Sequence, residues 1–160
     1  MSHTPATALN LSLPAPRDTE AFGEALGRRL EVHDLVALTG PLGAGKTTLV
    51  RGIVRGLGSS AHVRSASFAW VQEYRGRLPI THLDLYRLRD VSELGGIGWE
   101  EYLDRPGVVL VEWGERAGEA LPASRWEVEI SAAGDGRRVG VRAFGGGPAA
   151  GLAALSGELA

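Results

Sequence analysis

The residues from Gly40 to Thr47, GPLGAGKT, have the spacing of a phosphate-binding loop: a glycine, four residues, then glycine, lysine and a hydroxyl. Each residue type has a task there. Glycines let the main chain curl closely enough for successive amide N–H groups to converge on phosphate oxygens. A helix beginning near Lys46 adds the positive end of its dipole. Lys46 would reach the β- and γ-phosphates as a compact charge, and the Thr47 hydroxyl would hold Mg²⁺. Lys46 is also the only lysine of the chain, all its other strongly basic side chains being arginine. The same pattern makes Leu42, Gly43, Ala44, Gly45 and Thr48 candidates for nucleotide contact.

A phosphate cradle of this kind needs acidic partners, and folds that carry one put them at the ends of buried strands. VVLVE supplies Glu112 after four apolar residues, where a lone charge would need a partner. THLDLYRL supplies Asp84 between apolar residues. Alternation alone leaves two readings of Asp84 open, the solvent face of a strand or a group aimed at the metal. Ser65 and Ser67, in RSASF, are either switch-type hydroxyls or ordinary loop serines. Guanine is usually read by an asparagine-lysine-x-aspartate element, which a chain with no second lysine cannot contain, so ATP is expected over GTP.

The elements that would position these groups follow from periodicity and punctuation. TALNLSLPAP reads as an edge strand entering a turn. Asp18 or Thr19 can cap a helix to about Leu30, with Phe22, Leu26 and Leu30 on one stripe. DLVALTG is a short buried strand, and the segment from Lys46 to about Leu57 repeats apolar residues as a helix stopped by Gly58. SFAWVQEY and LPITHLDLYRL are two β-rich runs around RGR, and VSELGGIGWEEYLD is a broken helix. GVVLVEW is a second buried strand. RWEVEISA and RRVGVRAF alternate around AGDG as a hairpin. Residues 1–144 are expected to form one domain, and 145–160 a flexible tail with one weak terminal helix. Helices alternating with buried strands give an α/β layered fold, the closing hairpin extending its sheet.

Composition narrows the function classes. A chain of 160 residues with 44% hydrophobic and 22% charged residues suits one soluble globular domain. A net charge of −2 gives no general attraction to DNA or acidic membranes. The absence of cysteine excludes disulfides and thiolate metal sites. The four histidines, His3, His33, His62 and His82, lack zinc-type spacing and read as solvated or packed residues. The N-terminal stretch lacks the basic start and apolar block of a signal peptide, so a cytoplasmic location is expected.

GPLGAGKTTLVRGIVRGLG, then VRSASFAWVQEY, then HLDLYRL, then LVEWGER occur in that order over 18–143, and together they resemble the TsaE family. That family comprises the ATPases of bacterial tRNA threonylcarbamoyladenosine formation. The resemblance implies a P-loop NTPase fold with a mixed, mostly parallel sheet between helices, and a slow, Mg²⁺-dependent ATPase acting on a TsaB–TsaD pair. TsaD transfers the threonylcarbamoyl group to adenosine beside the anticodon, so tRNA is an indirect partner. By matching motif, Lys46 and Thr47 bind phosphate and Mg²⁺, and Glu112 is a Mg²⁺-site acid. Asp84 is a nucleotide-site acid that would position the attacking water, and Trp113 is an aromatic reporter beside Glu112. The GDGR turn around Gly136 would approach the nucleotide. Where the family reads serine-proline-threonine, this chain has Ser65-Ala66-Ser67, which keeps the hydroxyl and loses the stiffening proline.

Two other classes fit a phosphate cradle. A small-molecule kinase would need an acceptor pocket and an arginine-rich lid, and GRRVGVRAF alternates as a strand instead. A nucleotide-dependent interaction switch would use exposed side chains such as Arg51 and Arg55, one helical turn apart, which otherwise form a solvated helix face.

Overall fold

A computed structural model describes residues 7–41, 43–64 and 70–160. The strands are β1 (Thr7–Leu13), β2 (Leu35–Thr39), β3 (Val71–Arg75), β4 (Pro79–Asp84), β5 (Val108–Glu112), β6 (Arg125–Ala133) and β7 (Gly136–Phe144). The α-helices are α1 (Pro16–Arg29), α2 (Lys46–Gly56), α3 (Trp99–Asp104) and α4 (Gly146–Leu159), and 3₁₀ turns run over Val91–Ile97 and Gly114–Ala120. All seven strands join one sheet in the order β1-β7-β6-β2-β5-β4-β3. Its centre, β6-β2-β5-β4, is parallel. Both flanks are antiparallel, with β6 and β7 forming the expected hairpin and β1 and β3 the two edges. The sequence reading of an α/β P-loop architecture closed by a hairpin describes this sheet.

Alternation along the central strands builds two cores. Val36 and Leu38 of β2 and Val108 and Leu110 of β5 face α1 and α2. Leu35, Ala37, Val109 and Val111 point the other way, against Leu94, Trp99 and Ala117 of the short helical segments. Strands covered on both faces must be apolar at every position, which is why VVLV carries no polar residue until Glu112.

Helices α1 and α2 meet backbone to backbone. A Cβ on Gly52 would stand 2.3 Å from the Glu20 carbonyl oxygen, and one on Gly56 would stand 2.2 Å from that of Glu24. The approach brings Arg51 and Arg55 over α1. Arg55 pairs with Glu24 at 3.2 Å and Glu20 at 3.3 Å, and Arg51 with Glu20 at 3.5 Å. These two arginines therefore lace the helix pair together, which weakens their candidacy as partner contacts.

The C-terminal segment differs from the flexible tail expected for 145–160. Residues Gly146–Leu159 are helical, and Leu152 and Leu155 are buried in the main core. Gly151 rides on the Trp126 ring, where an added Cβ would stand 2.7 Å from Cζ2, and Glu158 bridges Arg28 and Arg29 at 3.1 and 2.8 Å. An alanine- and glycine-rich sequence gives little periodic signal, but two leucines three residues apart are enough to dock one helical turn. Among the described residues no helix is long and apolar enough to cross a membrane.

Candidate functional site

Strand β2 ends at Thr39 and the chain returns as α2 at Lys46. The return depends on Gly45, whose φ of 108° lies in the left-handed region, so that helical geometry begins at once with Lys46. No side chain caps this end of α2, so its first-turn N–H groups remain available to a ligand. The loop amides are not all equivalent, since Ala44 N–H already donates to the Pro41 carbonyl at 3.1 Å.

A cavity of about 540 Å³ opens over this helix end. Gly43, Gly45, Lys46, Thr47 and Thr48 form one wall, and Asp84, Tyr86, Arg87, Glu112 and Trp113 form the other. Strand register explains the second wall: Asp84 ends β4, Glu112 ends β5, and the two are paired in the parallel ladder. Of the two readings of Asp84, the register favours the inward one. A cavity of similar size, about 590 Å³, lies at the opposite ends of β4 and β5 and contains the Arg105–Glu73 pair at 2.6 Å. That cavity meets the C-terminal end of α3 and no helix N-terminus, so it lacks the amide cradle of the first.

Several candidates are not among these lining residues. Leu42, Ser65 and Ser67 lie outside the described residues. Ala44 is buried and does not line the cavity. Gly136 lies beside Leu13 and Pro14, away from the loop, but its neighbour Arg137 comes close: its Nε stands 3.5 Å from where a Cβ on Gly45 would be.

The ammonium of Lys46 is buried and turned onto its own loop. It donates to the Gly40 carbonyl and, at 2.9 Å, to that of Pro41, and it sits 4.2 Å from the centroid of the Trp113 ring. Burial lowers its pKa, against the raising influence of Glu112, Glu115 and Asp84. Burial likewise raises the Asp84 carboxyl, with Glu112 adding to the rise, while the Tyr86 N–H at 2.9 Å, His82 and Lys46 oppose it. Glu115, which sequence reasoning missed, is also raised by burial, its own N–H and Lys46 opposing. Its only sequence signal is a position three residues beyond Glu112.

Trp113 occupies the left-handed region, with φ 58° and ψ 40°, an unusual state for a large side chain. The next residue accounts for it: Gly114 crosses β2 so closely that a Cβ would stand 2.7 Å from that of Ala37. The tight crossing turns the indole back over Lys46. Arg116 lies 5.0 Å from the Trp113 ring and 5.5 Å from that of Tyr86, extending the aromatic and cationic wall.

Glu112 is 4% exposed and has a buried partner, since His82 Nε2 lies 2.6 Å from its Oε2. His82, expected as a solvated or packed histidine, is packed and joins the site from behind. Asp84, Glu112 and Glu115 act on the Lys46 ammonium, while Arg87, Arg116 and Arg137 stand further round the cavity. Thr47, Asp84 and Glu112 supply oxygen donors only, which fits a hard divalent cation. Among the described residues no group of three or more histidine, aspartate or glutamate side chains could hold a metal alone. A cation here would share its shell with phosphate and water, as Mg²⁺ does.

A glycine loop joining a buried parallel strand to an uncapped helix, faced by acids at the ends of adjacent strands, defines a P-loop nucleotide-binding protein of the α/β class. The family model described as Threonylcarbamoyl adenosine biosynthesis protein TsaE matches residues 13–139, and the chain belongs to the TsaE family. A Treponema pallidum protein named tRNA threonylcarbamoyladenosine biosynthesis protein TsaE is 38% identical over 122 residues, 76% of this chain and 90% of its own length. The Bacillus subtilis protein of that name is 40% identical over 124 residues, 77% of either chain. The crystal structure of Bacillus subtilis YdiB superposes with a TM-score of 0.80 at 31% identity, covering 99% of this chain and 100% of that one.

Proposed function

We propose that this chain binds Mg²⁺–ATP in the cradle between β2 and α2, hydrolyses it slowly alone, and serves tRNA threonylcarbamoyladenosine formation by acting on a TsaB–TsaD complex. The observation that carries the reading is the single cavity that joins Gly43, Gly45, Lys46, Thr47 and Thr48 to Asp84 and Glu112. The names of the relatives support the pathway.

In this reading the first-turn amides of α2 and the glycine loop cradle the phosphates. Lys46 exchanges the Gly40 and Pro41 carbonyls for phosphate oxygens, which pair its charge. Thr47 and Glu112 would hold Mg²⁺, which when bound would offset charge on the β- and γ-phosphates. Asp84, held by the Tyr86 N–H, orients the attacking water. Trp113 covers the cradle and reports occupancy through its fluorescence.

The test is ATP turnover by the purified chain with and without TsaB–TsaD. The reading expects slow hydrolysis alone and stimulation by the complex. Rapid hydrolysis that TsaB–TsaD leaves unchanged would contradict it, and phosphate transfer to a metabolite faster than to water would favour a kinase.

A further inference from the structure

Behind the acidic wall of the cavity, four polar side chains from three strands are joined end to end. Glu112 Oε2 lies 2.6 Å from His82 Nε2, His82 Nδ1 lies 3.2 Å from the Tyr74 hydroxyl, and that hydroxyl lies 3.0 Å from Gln72 Oε1. Register puts them there. Gln72 pairs with His82 across β3 and β4, and Asp84 pairs with Glu112 across β4 and β5. Residues two apart on a strand share a face, so Gln72, Tyr74, His82, Asp84 and Glu112 form one polar stripe on the α2 side of the sheet.

His82 is wholly buried and does not line the cavity, so it cannot touch a ligand there. Both of its ring nitrogens are engaged, one on each side. A carboxylate oxygen accepts, so at the short contact the imidazole Nε2–H donates, and in that tautomer Nδ1 accepts the Tyr74 O–H. This commits Oε2 and leaves Oε1 to the cavity that Glu112 lines. A planar ring fixed at both ends cannot swing, and it therefore sets the plane of the carboxylate.

We propose that His82 is a positioning residue for Glu112, steadied from behind by Tyr74, and that it holds the glutamate in the orientation that receives Mg²⁺ with the nucleotide. The proposal rests on Glu112 being the Mg²⁺-side acid. Groups that hold a ligand from behind commonly change metal affinity about 10- to 100-fold when removed.

The test compares His82→Asn with His82→Gln. The asparagine amide still reaches toward Tyr74 but falls short of Glu112, whereas the glutamine amide nitrogen reaches the place of Nε2. ADP and ATP affinities are measured in EDTA and across a Mg²⁺ titration, with thermal melts confirming the fold. For His82→Asn the expected result is affinity in EDTA within about twofold of wild type and a Mg²⁺ requirement raised about 10- to 100-fold, with His82→Gln restoring most of the loss. Tyr74→Phe should shift the Mg²⁺ requirement the same way by a smaller factor, and it decides the matter if His82→Asn does not fold. A folded His82→Asn with an unchanged Mg²⁺ requirement, or equal losses in both variants, overturns the positioning role while the nucleotide site stands. If the wild type binds nucleotide with no Mg²⁺ dependence, the Mg²⁺–ATP reading falls, and this proposal with it.

Discussion

In the phosphate loop Gly43 faces open space, whereas the glycines between α1 and α2 face backbone. A Cβ on Gly43 would meet nothing within 4 Å, while on Gly27 it would stand 2.4 Å from the Ile53 carbonyl oxygen and on Gly23 2.7 Å from that of Leu49. Both groups precede or lie in adjoining helices and look alike as letters. One leaves room for a ligand, the other for a neighbouring helix. Substitution should therefore separate binding from stability, with the seam carrying the fold and the cradle carrying the ligand.

The largest expected effect lies on the packing side. Ending the chain after Phe144 removes Leu152 and Leu155 from the core and uncovers Trp126. Each buried leucine lost costs about 2–5 kcal/mol, and Tm should fall by roughly 10 °C or more in a calorimetric scan. Gly56→Ala comes next. Forcing a methyl against the Glu24 carbonyl should cost about 1–3 kcal/mol and lower Tm, with ATP affinity unchanged well below the melt. Gly43→Ala should do the reverse, weakening ATP about tenfold in a binding titration while costing only about 1 kcal/mol for its positive φ. If Gly56→Ala lost ATP affinity while keeping its Tm, the division between seam and cradle would be broken.

The smallest effect is electrostatic. The folded Asp84 carboxyl is raised chiefly by burial, so proton uptake favours the folded state. Its contribution is fully present below the unfolded value of 3.8 and is lost as pH rises through the raised folded value. Asp84→Asn keeps an acceptor for the Tyr86 N–H without the charge. The ligand-free variant should melt about 2–4 °C above wild type at pH 7, the difference vanishing toward acid. Equal melts at neutral pH would mean that the cradle stores no such cost.

Much of the site was legible because it is local. The loop pattern, the helix after it and the acid closing an apolar strand each occupy a few consecutive residues. What was not legible depends on strands meeting across the sheet. Asp84 stayed ambiguous until the β4–β5 register set it beside Glu112. His82 looked like one of four scattered histidines because its partners, Tyr74 and Glu112, are 8 and 30 residues away. Arg51 and Arg55 looked free on their own helix, and only the glycine seam brings Glu20 and Glu24 opposite them. The docking of the C-terminal helix was hidden by its composition, since alanine and glycine mark no face.

The most direct test of the cradle is a calorimetric titration of ATP with Mg²⁺ into wild type and Lys46→Ala, with a thermal melt of each. One ATP should bind per wild-type chain, and the variant should bind about 10- to 100-fold more weakly with its melt within about 2 °C of wild type. Equal affinity in the two proteins, or no binding to the wild type, would contradict the account.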